Sequence, residues 1–167
     1  MTKPRKRRPP RRLHPSPGPL PRRFAERFAD DFAGRLLVFC DASLKRHGGL
    51  AAVFFAEPDQ PPLGFSRSVA AAGSNELELQ AALFALQQAA LHFPGRRLAL
   101  FTDNSDAALR LGNAAARGLA ADPALGAMLP GVDLAALLAP ASIHWLKSHA
   151  TCRGNILADE LAGAAAL

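Results

Sequence analysis

Two short apolar runs, each followed by an aspartate, restrict this chain more than any other feature. Leu36-Leu-Val-Phe-Cys40 leads into Asp41, and Arg97 to Thr102 leads into Asp103. Apolar runs of this length read as buried strands. If the two strands are parallel neighbours, both carboxylates emerge at one sheet edge, where ligand sites of open α/β sheets form. Between them, Leu50 to Ala56 and Leu63 to Ala70 read as two more strands, with Gly48-Gly49 as a turn and Pro58 to Pro62 as punctuation. Connections this short favour antiparallel neighbours. Gly73-Ser-Asn opens a long helix, Glu76 to Phe93, stopped by Pro94-Gly95. Helices are expected over Ser105 to Arg117, Pro123 to Leu138 and Gly154 to Ala166, with a last strand over Ser142 to Lys147. Three strands followed by alternating helix and strand predict an α/β domain, a mixed sheet flanked by helices.

Charge divides the chain unequally. Residues 1 to 23 carry nine Lys or Arg and no acid, while the remainder carries eleven basic and fourteen acidic groups, so the formal +6 is +9 against −3. A basic chain suggests nucleic acid as partner, yet here the charge lies in a Pro- and Arg-rich stretch with almost no core residues. That stretch, 1–23, is expected to be a disordered basic tail. It would hold phosphates loosely and in a salt-dependent way; its bland counterparts are a solvated tail or a start codon placed too far upstream. Phe24, Phe28 and Phe32 recur every four positions, which predicts a short linker helix over 24–34 packing on the folded body, 35–167. At 167 residues the chain fits one domain plus a tail, large enough to bury about two-thirds of its unfolded surface.

Several classes are excluded or disfavoured. No apolar run approaches the ~20 residues needed to span a bilayer, so no membrane partner is expected. No signal-peptide pattern is recognisable, and Cys40 and Cys152 do not form a disulfide framework; both read as reduced thiols of a cytoplasmic protein. With no close Cys pair, a Cys/His metal site cannot be built. No obligate protein partner is indicated, and a monomer is the default.

Acids at other positions can join Asp41 and Asp103. Glu76 and Glu78 both start the long helix, but two residues apart on a helix they point about 200° apart, so only one faces the sheet edge. Glu78 shares its face with Ala82 and Ala85, small residues that let a helix lie close to a sheet. Asp159 stands in the last helix beside Ala158 and Ala162. Singly, most have an ordinary structural role open to them. Asp103 can cap the following helix, Glu78 follows Asn75 at a capping-box spacing, and Asp159 can be a surface charge. Asp41 is harder to explain away, because a carboxylate after a strongly apolar strand is costly unless paired, hydrated or metal-bound.

Five segments in order resemble the ribonuclease H family in its bacterial type 1-like form: Phe39-Cys-Asp41-Ala-Ser43, Asn75-Glu-Leu-Glu78-Leu-Gln-Ala-Ala82, Leu100-Phe-Thr-Asp103-Asn-Ser, Trp145-Leu-Lys-Ser-His149-Ala and Asn155-Ile-Leu-Ala-Asp159-Glu-Leu-Ala162. The similarity runs from about Arg35 to the C-terminus. It implies a ribonuclease H-like fold, a five-stranded sheet with three antiparallel strands and then two parallel ones, and makes 35–167 the catalytic domain. The Glu-Leu-x-Ala-Ala pattern selects Glu78 over Glu76. The resemblance implies that Asp41, Glu78, Asp103 and Asp159 hold two Mg²⁺ ions, with Mn²⁺ as a possible substitute. It implies His149 as a proton-transfer or product-release group and Asn155 as its support. The implied activity is endonucleolytic hydrolysis of the RNA strand of an RNA/DNA hybrid, with 5′-phosphate and 3′-hydroxyl ends. Elementary electrostatics also asks for a cation, since two carboxylates ~4 Å apart repel by about 4 kcal/mol at an effective dielectric near 20, and oxygen-only donors suit Mg²⁺ or Mn²⁺ rather than Zn²⁺.

Substrate contacts follow the family less closely. Ser43, Lys45, Arg46, Ser74, Asn75, Lys147 and Asn155 are the candidates. The first hairpin, Leu44-Lys-Arg-His-Gly48-Gly49, is shorter and more basic than the family's Gly- and Pro-rich turn, and Glu76 stands where a phosphate would be repelled. Bacterial members carry a basic, aromatic protrusion in mid-chain, whereas residues 104 to 138 contain only Arg110 and Arg117 as basic groups and no aromatic. The body alone is therefore expected to grip a hybrid weakly, with the basic tail as a candidate substitute. Competing readings are another nuclease on the same fold, which would usually pair two acids in the first strand, and a non-catalytic RNA- or hybrid-binding module.

Overall fold

The computed structural model describes residues 32–57, 60–146 and 153–167. The expected linker helix falls almost wholly outside the described residues, as do the basic tail, Lys147, His149 and Cys152. The body contains β1 (Leu36–Leu44), β2 (Gly48–Phe55), β3 (Leu63–Val69), α1 (Ser74–His92), β4 (Leu98–Thr102) and α2 (Ser105–Arg117). These are followed by a 3₁₀ turn (Leu119–Ala121), α3 (Pro123–Ala127), α4 (Leu134–Leu138), β5 (Ala141–Trp145) and α5 (Arg153–Ala165). The sheet order is β3-β2-β1-β4-β5. β1 pairs antiparallel with β2, and β2 with β3, whereas β1–β4 and β4–β5 are parallel. This is the mixed five-stranded α/β sheet expected from the order of apolar runs.

Alternation along the strands divides the core in two. Leu36, Val38 and Cys40 of β1, with Leu98 and Leu100 of β4, face α1 to α4, where Leu77, Leu83, Leu86, Leu111, Leu125 and Leu134 complete the larger core. Phe39 of β1, Val53 of β2 and Phe101 of β4 face the other side and meet Ala158 of α5. Phe39 and Phe101 stack with ring centroids 4.9 Å apart. Phe32 sets its edge against Phe101 and His144, so the chain enters the body at the β4–β5 half of that face.

Three local expectations are corrected. Asp41 does not end its strand: β1 runs on to Leu44 because pairing with β2 continues to Leu44↔Gly48, while the parallel ladder with β4 stops at Phe39↔Phe101. Gly48-Gly49 is not the turn, which is Lys45 to His47; both glycines are buried in β2. A Cβ on Gly49 would collide with the Ala162 carbonyl oxygen of α5, so the sequence needs glycine there for close approach rather than for turning. The stretch from Pro123 to Leu138 forms two five-residue helices rather than one, interrupted at Pro130-Gly131, where proline supplies no N–H to continue the first.

Candidate metal centre

β1, α1 and β4 each deliver one carboxylate to the same point. Asp41 lies beyond the end of the β1–β4 ladder, where β1 has lost its parallel neighbour, and is only 5% exposed. Asp103 is the first residue after β4. Glu78 occupies the second turn of α1, half-buried, while Glu76 is exposed and accepts a hydrogen bond from Gln80. The structure therefore places Glu78, not Glu76, with the aspartates. Ligand atoms of Asp41, Glu78 and Asp103 all lie within 4.8 Å of one another.

These three groups share an environment that opposes their ionisation. Asp41 and Glu78 lie within ligand distance of each other and of Asp103, so both carboxyls feel neighbouring charge. Burial, followed by the charge of Asp103, pushes the Asp41 carboxyl up to about 7. Burial, followed by the charges of Asp41 and Asp103, pushes Glu78 up to about 9. Asp103 is raised as well, again chiefly by burial. Asp41 gains one compensating contact, the Ala42 N–H donating to its Oδ1 at 2.9 Å. Glu78 Oε2 is buried and, among the described residues, has no hydrogen-bond partner. Buried polar atoms are rarely left so. An orphaned oxygen in a cluster of oxygen donors, with no nitrogen or sulfur in the set, fits a hard divalent cation such as Mg²⁺.

Other candidate residues stand at different distances from this centre. Asp159 is exposed on α5 and outside the 4.8 Å group, but its charge adds to the raising of Asp41 and Asp103. Asn155 lies half-buried in the first turn of α5. Ser43 is half-buried on β1, and Ser74 is exposed at the start of α1. Asn75 bridges Asp106 at 3.2 Å and Asn104 at 2.9 Å. Lys45 donates to the Gly163 carbonyl at the end of α5, 2.9 Å away, and Arg46 is exposed on the hairpin turn. Arg110 is held by both carboxylate oxygens of Asp122.

The capping alternatives for Asp103 and Glu78 do not hold, whereas Asp159 is exposed, as a surface charge would be. Asn104, not Asp103, caps α2, accepting from the Ala107 N–H at 2.8 Å. The N-cap of α1 is Gly73, with no side-chain cap, so Glu78 belongs to no capping box. Asn104 is a site neighbour that the sequence reading passed over, although Asn three residues before the first buried helical residue is a capping signal. Trp145, in the sequence only one member of a motif, donates its indole N–H to the Asp103 carbonyl at 3.1 Å.

The RNase H family profile matches residues 33–167. The chain belongs to the RNase H family. A search of curated protein sequences gives no match. Among solved structures, the chain resembles the RNase H domain of prototype foamy virus (TM-score 0.58, 19% identity, 79% of this chain and 94% of that one). It also resembles RNase H1 of the halophilic archaeon Halobacterium salinarum (TM-score 0.55, 21% identity, 79% and 97%). It matches part of the prototype foamy virus protease-reverse transcriptase with TM-score 0.57 and 19% identity, over 81% of this chain but only 21% of that longer one. At such identities the structural likeness establishes the fold. RNase H family membership itself rests on the profile match, which spans nearly the whole described body.

Proposed function

We propose that this RNase H family chain is an endoribonuclease that hydrolyses the RNA strand of RNA/DNA hybrids. The observation that carries the reading is the group of buried Asp41 with half-buried Glu78 and Asp103, drawn together within 4.8 Å against their own repulsion. Asp41, Glu78 and Asp103 would hold one Mg²⁺, and Asp159, whose charge is felt by Asp41 and Asp103, would help to hold a second; Mn²⁺ is an alternative ion. When bound, these ions supply an acidified water and neutralise charge on the phosphate. The protein's part is to keep carboxylates desolvated and convergent, so that substrate phosphate meets a preset site rather than one that must assemble. Water adds to phosphorus and the P–O3′ bond breaks, leaving 5′-phosphate and 3′-hydroxyl ends. His149, outside the described residues, is proposed to transfer the proton near the attacking water.

Selectivity would rest on contacts to sugar and phosphate, which distinguish RNA from DNA through the 2′-hydroxyl and carry no base identity. Ser43, Arg46, Ser74, Asn75 and Asn155, with Lys147 outside the described residues, are the proposed contacts. Lys45 is occupied at the end of α5 and Arg110 by Asp122. Neither is therefore proposed to grip phosphate, and the nine basic residues of the tail are proposed to add to the hold on the hybrid. The direct test is cleavage of labelled RNA/DNA hybrid, RNA duplex and single-stranded RNA in Mg²⁺, Mn²⁺ or EDTA. Hybrid-selective, metal-dependent cutting that Asp103→Asn abolishes is expected. Hybrid binding without cutting by the intact protein would instead mark a non-catalytic binding module.

A further inference from the structure

The last ladder bond between β4 and β5 runs from the Leu146 N–H to the Thr102 carbonyl at 2.8 Å. One residue later the chain leaves the sheet at Asp103 and enters α2 at Ser105. Those few residues decide where the Asp103 carboxylate points, and several contacts hold them. Thr102 is tied by the ladder, and the Asn104 N–H donates to Thr102 Oγ1 at 3.2 Å while its side chain caps α2. Between these two, the Asp103 carbonyl lies beyond the ladder and takes the Trp145 indole N–H at 3.1 Å.

Trp145 makes this contact although it is 50% exposed and contributes to neither core cluster. A large aromatic side chain at a strand end, outside the core and spending its polar atom on the backbone of an acidic residue, is poorly explained by packing. An indole N–H is a neutral donor only. It can fix the carbonyl without adding charge to a centre where charge is what matters. We propose that Trp145 is a positioning residue for the metal centre, fixing the Asp103 backbone so that its carboxylate converges with Asp41 and Glu78. This rests on the metal-dependent reading above.

The chain has one Trp and no Tyr, so indole fluorescence reports this residue alone. Mg²⁺ added to the full-length wild type should change Trp145 emission saturably, at the same concentrations that calorimetry assigns to binding. Asp103→Asn should remove that response. Trp145→Phe keeps an aromatic ring and deletes the donor. It should bind Mg²⁺ about 2–10-fold more weakly by calorimetry, the usual effect of one lost hydrogen bond. Its kcat at fixed sub-saturating Mg²⁺ should fall by about the same factor, with KM for hybrid unchanged and kcat restored by excess Mg²⁺. A merely structural role would lower the melting temperature and leave Mg²⁺ affinity intact. Should Trp145→Phe bind Mg²⁺ as wild type does, or the wild-type emission ignore saturating Mg²⁺, the inference is overturned. If the variant does not fold, the fluorescence titrations of wild type and Asp103→Asn decide the matter. Wild type that binds no Mg²⁺ by calorimetry would overturn the metal-dependent reading itself, and this inference with it.

Discussion

Replacing Asp41 by Asn should stabilise the metal-free fold while ending its activity. The Asp41 carboxyl rises from 3.8 to about 7, first because it is buried and next because Asp103 is charged. A carboxyl that holds its proton more tightly folded than unfolded contributes stability at acid pH. That contribution is complete below 3.8 and is lost as pH rises through about 7. At about 1.4 kcal/mol per pH unit, the rise penalises the ionised, metal-free protein by about 4 kcal/mol above neutral pH. Asn keeps an Oδ1 for the Ala42 N–H and brings an amide able to donate to Glu78. Burial of that amide offsets part of the gain, leaving about 2 kcal/mol in favour of the variant. Urea unfolding in EDTA should show the gain in full near about pH 8 and little of it near about pH 4. Saturating Mg²⁺ should reverse the order, since only the wild type gains binding energy from it. A variant less stable than wild type in EDTA at alkaline pH, or a gain indifferent to pH, would refute the reasoning.

Other consequences can be checked separately. Because Glu78 is pushed up to about 9, the metal-free cluster keeps a proton at neutral pH, and Mg²⁺ must displace it. Calorimetry in buffers of different ionisation enthalpy should therefore show release of about one proton per site and affinity rising with pH. Gly154→Ala would thrust a Cβ into the Phe39 ring. Overpacking of about 1–3 kcal/mol should exceed the helix-propensity gain of about 1 kcal/mol. A lower urea midpoint is expected, with reduced cleavage because α5 carries Asn155 and Asp159. Deleting residues 1–23 should raise KM for hybrid and flatten its dependence on salt; KM and slope equal to those of the full chain would remove the tail from substrate binding.

Much of this was legible in the sequence because strand and helix periods are strong signals wherever apolar residues dominate. The runs ending near Cys40 and Thr102 marked both strands, leaving their parallel pairing as a condition, and the helix from Ser74 differs from its expected start by two residues. What escaped depended on long-range partners. Nothing local shows that Asp41 is mid-strand, because its strand is prolonged by Gly48 and Gly49 of β2 rather than by its own residues. The two glycines read as a turn because their true constraints are tertiary: Gly49 is held against the backbone of α5, more than a hundred residues away in the chain, and Gly48 against Val69, Ala70 and Leu77. Choosing Glu78 needed the family pattern, since helical spacing separates it from Glu76 without saying which one faces inward. The Trp145–Asp103 bond joins a side chain to a backbone oxygen across two strands, and no spacing rule reports such a contact.

The most direct measurement is an anomalous-scattering crystal structure of the full chain soaked in Mn²⁺. The account predicts an ion bonded at about 2 Å to oxygen atoms of Asp41, Glu78 and Asp103, with Glu78 Oε2 no longer unpartnered. Crystals in which saturating Mn²⁺ leaves these three carboxyls unmetallated, or gathers elsewhere on the protein, would contradict it.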